Sequence, residues 1–165
     1  RSRAWPRPHP AVAEARGRLP LDEVAEQNVK LSKEYNDAYG SPERNGEGAK
    51  VAAKMVELGY GPRMYFHDHE AKVPELPGWL TTKQNRFQLL ADFEERVRVR
   101  AVRPACRDAV TEMLSFVRDQ SGRPGPIPGA YADHVFAGAI CGQMRRYARF
   151  GVLAGARLPA PVYSW

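Results

Sequence analysis

The sequence predicts an α/β fold, because segments with a 3.6-residue apolar period alternate with short runs that read as strands, separated by turns rich in glycine and proline. Size and composition agree. The chain has 165 residues, 43% hydrophobic and 27% charged, a globular mixture able to bury one core. Its apolar runs are a few residues long, far short of the roughly 20 that cross a bilayer. The arginine-containing start lacks the apolar centre of a secretory signal, so a soluble protein without a membrane partner is expected. Twenty-five Lys and Arg against 19 Asp and Glu leave a net charge of +6, which favours a polyanionic partner such as nucleic acid. Cys106 and Cys141 form neither a disulfide framework nor a metal motif, and free thiols in a reducing interior are expected.

Residues 1–20 carry four prolines and five arginines and read as an extended lead-in, with a short strand around Ala11 to Glu14. From Leu21 the positions Leu21, Val24, Ala25, Leu31 and Tyr35 follow a helical period, and Asp22 and Glu23 suit a helix N-terminus, giving a first helix over 21–35. The run 38–43 predicts an interior strand with Glu43 at its carboxyl end. The turn Asn45-Gly46-Glu47-Gly48 then opens a second helix over 47–58 through Val51, Ala52, Met55 and Leu58. Arg63 to Phe66 reads as a strand, and Glu70 to Thr82, with two prolines, a glycine and Trp79, as a loop or hairpin. Thr82 suits a cap for a long amphipathic helix over 83–97. Beyond it Val97, Val99 and Ala101 alternate with Arg96, Arg98 and Arg100 in an extended pattern, which Pro104 ends. A helix near 105–114, a short run at Phe116 and Val117, a loop from Ser121 to Gly129 and a last helix over 132–148 complete the folded region, 21–150. Residues 151–165 form a tail.

Two junctions carry chemistry. In Ser41-Pro42-Glu43-Arg44-Asn45-Gly46-Glu47-Gly48 an acid ends a strand and a glycine turn opens a helix. A carboxylate fixed there by backbone is a hard-cation ligand, and glycines admit an anion close to the main chain; the plainer reading is a solvated strand-helix junction. In Gly129-Ala130-Tyr131-Ala132-Asp133-His134 an acid begins a helix. Asp133 either complements the helix dipole or meets Glu43 over a shared metal. His67-Asp68-His69 offers two imidazoles but no third ligand, which favours a solvated loop, and no nucleophile elbow is present. The arginine clusters 96, 98, 100, 103 and 145, 146, 149, with Lys83 and Arg86, read as solvated faces or as phosphate contacts.

Taken in order, these segments resemble the C-terminal nuclease domain of the large terminase subunit of tailed bacteriophages and prophages. The matching run is Tyr35-Asn36-Asp37-Ala38, Glu43-Arg44-Asn45-Gly46-Glu47-Gly48, Leu58-Gly59-Tyr60, Met64-Tyr65 and Gly78-Trp79-Leu80-Thr81-Thr82-Lys83 with Arg86. It continues through Glu112-Met113-Leu114-Ser115-Phe116-Val117 and Gly129 to Ile140, so the resemblance covers roughly residues 11–147. It implies an RNase H-like fold, a mixed sheet flanked by helices, and a metal-dependent endonuclease that cuts concatemeric double-stranded DNA during packaging. Two Mg²⁺ or Mn²⁺ ions would be held by carboxylates. Implied partners are double-stranded DNA, a terminase ATPase domain, the small terminase subunit and the portal, in the cytoplasm of a bacterial host.

Residue by residue, the resemblance assigns Glu43 to the metal-binding acid of the central strand. Where the family has a pair of aspartates, this sequence has Ala132-Asp133, so the usual ligand is alanine and Asp133 is the acid retained. The family's first metal aspartate has no match in Asp22 or Asp37, and no GxxxxGK[ST] phosphate loop is present. The sequence therefore reads as the later part of such a nuclease domain, lacking its first strands. Glu43 and Asp133 are the expected catalytic and metal residues. Lys83, Arg86 and Arg44 are the expected DNA contacts. Weak DNA binding with poor cutting is expected of the isolated chain. The rival readings are an inactive DNA-binding or packaging-scaffold remnant of the domain and an unrelated α/β interaction domain.

Overall fold

A computed structural model describes residues 17–104 and 106–148, together with the backbone of His9–Pro10. The chain is a mixed α/β structure. In order it forms β1 (His9–Pro10), α1 (Leu21–Glu34), α2 (Gly48–Met55), α3 (Lys83–Arg98), β2 (Val102–Arg103), α4 (Arg107–Leu114), β3 (Phe116–Arg118), β4 (Pro124–Pro126) and α5 (Asp133–Met144). No helix of the described residues is long and apolar enough to cross a membrane. Two compact units emerge: one of Gly17–Lys83 with 140–148, the other of Gln84–Ala139 with His9–Pro10. The strand expected around Ala11 to Glu14 lies outside the described residues.

In the first unit α1 packs on α2. Ala25 and Val29 of one and Val51, Ala52 and Met55 of the other are buried together with Tyr60 and Met64. The apolar spacing of both helices puts these residues on one face. Asp22 and Glu23 sit in the first turn of α1 and Lys33 in its last, each complementing the dipole. Beyond α2 the chain widens into a π-type turn over Val56–Tyr60, which Gly59 stops at φ 85°, a conformation that costs glycine nothing. A 3₁₀ turn at Gly61–Arg63 follows.

The expected strand over 38–43 is not a regular strand. Gly40 makes one parallel bridge to Met64, Glu43 makes one to Trp79, and Phe66 bridges Pro77 and Gly78. Three extended segments thus touch pairwise through single bridges. Pro42 has no N–H to donate to a ladder, and a segment that exchanges partners between residues 40 and 43 cannot extend either pairing. Arg63 to Phe66, expected as a strand, is likewise the end of the 3₁₀ turn followed by isolated bridges.

In the second unit the buried residues are Leu89, Leu90 and Phe93 of α3, Ala101, Ala109 and Glu112 of α4's approach and body, and Val135 and Ala139 of α5. Gly138 lets α3 and α5 approach closely: a Cβ there would stand 2.8 Å from Phe93 Cζ. The extended reading of 97–101 is corrected, since Val97 is helical and residues 99–100 form a turn. The helix ends in a Schellman arrangement, with Ala101 N donating to Arg96 O at 2.8 Å and Arg100 N to Val97 O at 2.9 Å. Arg100 occupies the left-handed position at φ 56°, where a side chain costs roughly 1 kcal/mol that glycine avoids. β2 pairs in parallel with β1. The loop expected over 121–129 contains β4, which pairs antiparallel with β3. Sheet among the described residues amounts to these two two-stranded pairs.

Candidate functional site

Glu43 is held through its main chain. Trp79 N donates to Pro42 O at 2.9 Å and Arg44 N to Trp79 O at 2.8 Å, one hydrogen bond on each side of the residue. Two glycines make room for this arrangement. A Cβ on Gly48 would lie 1.8 Å from the Glu43 carbonyl oxygen, and one on Gly78, whose φ is +93°, would lie 2.8 Å from Pro42 O and 3.3 Å from Arg44 Cβ. Next along the chain, Asn45 clasps the Trp79 segment in both directions: Nδ2 donates to Thr81 O at 2.8 Å and Oδ1 accepts from Thr81 N at 2.9 Å. The turn before α2 is therefore tied to a segment 36 residues away.

The Glu43 side chain is half-buried and makes no hydrogen bond or ion pair with a described residue. Glu47, four positions on, is instead paired with Lys50 at 2.8 Å on the surface. Around the clasp, Trp79 Nε1 and Thr81 Oγ1 are buried polar atoms without a hydrogen-bond partner among the described residues, as is His67 Nδ1 in the same unit. Such atoms cost roughly 1–3 kcal/mol each when nothing satisfies them, and they mark places where water or a bound group completes the structure.

His67-Asp68-His69 is a turn, not a strand presenting two imidazoles. Asp68 accepts from Glu75 N and Leu76 N at 2.9 Å each. These backbone donors, Glu75 first, hold its carboxyl below the usual aspartate value. The His69 ring lies 5.3 Å from that of Tyr65 and 5.0 Å from that of Tyr147. Burial, then the neighbouring Tyr147, raises the Tyr65 phenol far above its ordinary value, and burial likewise raises Tyr39 and Tyr60.

Asp133 opens α5 in the second unit and is exposed. The first helical hydrogen bond runs from Phe136 N to Ala132 O at 3.0 Å, which makes Ala132 the cap residue, and alanine has no side chain that caps. Glu112, 5% exposed, supplies the acceptor from α4. Its Oε2 takes the His134 N–H at 2.7 Å and the Val135 N–H at 3.4 Å. Glu112 thus positions the turn that bears Asp133, a role the sequence reading missed. The signal available was an acid on the buried face of α4, beside Ala109, upstream of a helix start without a polar cap.

Glu43 and Asp133 belong to different units, and among the described residues no three His, Cys, Asp or Glu side chains gather to hold a metal ion. Of the expected DNA contacts, Lys83 is exposed at the start of α3. The other two have internal duties: Arg44 Nη1 donates to Pro77 O at 3.2 Å, and the Arg86 guanidinium lies 4.6 Å over the Phe136 ring. Cys106 and Cys141 are free thiols. The second unit also has an open apolar cleft of about 420 Å³ between α3, α4 and the β3–β4 hairpin, lined by Leu90, Phe93, Val97, Met113 and Phe116 but by neither Glu43 nor Asp133. No protein family matches the chain, and no curated protein is significantly similar to it.

Proposed function

We propose that the chain is a nuclease-domain segment of a phage-type DNA-packaging terminase, of RNase H-like plan, that grips double-stranded DNA and offers the carboxylates of Glu43 and of Asp133 as ligands for Mg²⁺ or Mn²⁺. One observation carries the reading. Glu43 is clamped by the backbone hydrogen bonds of its neighbours Pro42 and Arg44 directly before a glycine turn and helix, while its carboxylate is left without a partner among the described residues. A group that must meet a ligand from outside needs such rigid support. The ordered resemblance from Tyr35 to Ile140 and the net charge of +6 point the same way. In packaging, its partners would be the ATPase motor, the small subunit and the portal.

The residues described do not by themselves fit a pair of ions. Mg²⁺ keeps near-octahedral coordination and surrenders water reluctantly, so two ions need several oxygen ligands. No cluster of three candidate ligands forms among the described residues, and Ala132 occupies the position of the family's usual aspartate. No cleavage step is therefore assigned to these residues. Their own work is to bind DNA and to fix Glu43, and cutting awaits carboxylates supplied from elsewhere.

Plasmid nicking in Mg²⁺ and in Mn²⁺ tests this, with the chain beside Glu43→Ala and Ala132→Asp. The chain is expected to nick poorly or not at all, Ala132→Asp to nick more, and Glu43→Ala to abolish whatever nicking there is. Robust metal-dependent cutting that survives Glu43→Ala would overturn the assignment. A second reading is a packaging-scaffold remnant of the nuclease, favoured by Ala132 in place of the usual aspartate; under it Ala132→Asp restores nothing although DNA is still bound.

A further inference from the structure

We infer that the arginine-rich reversal at the end of α3, residues 96–103, together with Arg107 at the start of α4, is a docking surface for the phosphate backbone of duplex DNA. The inference rests on the reading of the chain as a DNA-handling protein and names the surface that does it. These residues include Arg96, Arg98, Arg100, Arg103 and Arg107 and no acid. Of these arginines Arg98 is ion-paired, to Glu95 on the preceding turn. The side chains of Arg96, Arg100, Arg103 and Arg107 make no ion pair or hydrogen bond with a described residue, and all but the half-buried Arg96 are exposed. Several basic groups elsewhere are spent internally: Arg118 on Glu94 at 2.6 Å, Lys50 and Lys54 on Glu47 and Glu57, Arg44 on a carbonyl and Arg86 on an aromatic ring; others, such as Arg63 and Lys83, are exposed singly rather than in an arginine run.

Ordered backbone presents these arginines. The two hydrogen bonds that close α3 fix Arg96 and Arg100, Arg103 is paired in register with Pro10, and Arg107 begins α4. Arg100 is the telling residue. At φ 56° it fills the left-handed position that glycine takes in most helix endings of this kind. A strained non-glycine residue at such a place points to a use for its side chain. Four unpartnered guanidinium groups in one short stretch repel one another, and the helix dipole rewards only Arg96, in the last turn of α3. Each is a planar fork that matches the oxygens of a phosphodiester. A run of phosphates at fixed spacing is the partner whose charge and geometry relieve that repulsion.

The test is fluorescence anisotropy of a labelled duplex of about 30 base pairs, titrated at salt from about 50 to about 200 mM. The proteins are the chain itself, Arg100→Gly, the combined change of Arg96, Arg100, Arg103 and Arg107 to Gln, and Arg63→Gln of the first unit as control. A melting curve is recorded for each. Because glycine relieves the left-handed strain, Arg100→Gly should melt higher than the parent and yet bind several-fold more weakly. Its plot of log affinity against log salt should be shallower by about 0.9 for the lost phosphate contact. The fourfold variant should lose at least about tenfold at the lowest salt and flatten the slope by about 3 to 4, while Arg63→Gln binds as the parent does. If the parent binds duplex DNA and either variant matches it in affinity and slope, this surface is wrong and the DNA-handling reading stands. If the parent shows no salt-dependent binding, both fall.

Discussion

Replacing Gly48 by alanine separates a structural demand for glycine from a preference for flexibility. Inside a helix the change would normally stabilise by about 1 kcal/mol. Here the new Cβ would sit 1.8 Å from the Glu43 carbonyl oxygen, where ordinary contact begins near 3.4 Å. Either the start of α2 or the Glu43 peptide must move, and the second course pulls on the bonds Trp79 N to Pro42 O and Arg44 N to Trp79 O. Each is worth about 1 kcal/mol net, and overpacking adds about 1–3 kcal/mol. Set against the helix gain, the balance is a loss of about 2–4 kcal/mol, or roughly 5–15 °C in melting temperature for a chain of this size. Gly46 is the comparison. Nothing lies within 4 Å of its Cβ position and its φ is +53°, so Gly46→Ala should cost only the left-handed strain, about 1 kcal/mol. Circular-dichroism melts of both variants decide the matter. Gly48→Ala melting at or above the parent would refute the close approach and, with it, the clamped geometry of Glu43.

Glu112→Ala strands the His134 and Val135 N–H groups at the start of α5 and should cost about 2 kcal/mol in urea unfolding, whereas Glu112→Gln, which keeps an acceptor, should cost less than half of that. The burial-raised phenols of Tyr39, Tyr60 and Tyr65 set an alkaline limit. Above the unfolded value near 10 the unfolded chain loses protons that the folded chain keeps, so stability is full below about pH 10 and falls as pH rises. Melting temperatures between about pH 9 and 11 should show the fall, and Tyr65→Phe should lessen it.

The helices were legible because their period is local. α1 and α3 lie within a residue of the expected 21–35 and 83–97, since Ala25 and Val29, or Leu89, Leu90 and Phe93, recur on one face. Two kinds of feature were not legible. The alternation of arginine and valine over 96–101 satisfies a strand as well as a helix end, and what decides is the left-handed turn at Arg100, which carries no glycine to announce it. Contacts between distant segments leave no period at all: Gly40 with Met64, Glu43 with Trp79, and Glu112 with the start of α5 are each more than 20 residues apart. The Glu43 junction was recognisable from its glycines and its acid. That Gly48 serves close approach to Glu43 itself emerges only in three dimensions.

Paramagnetic broadening by Mn²⁺ tests the central claim most directly, because even weak, rapidly exchanging ions report which carboxylates they visit. In an amide-resolved NMR titration of the chain, the account predicts that the signals of Arg44, Asn45 and Trp79, beside Glu43, and of Asp133 and His134 broaden first. Glu43→Ala should remove the broadening at the first group. Broadening that starts instead at exposed acids such as Glu23 and Glu26 of α1, and is unchanged by Glu43→Ala, would contradict it.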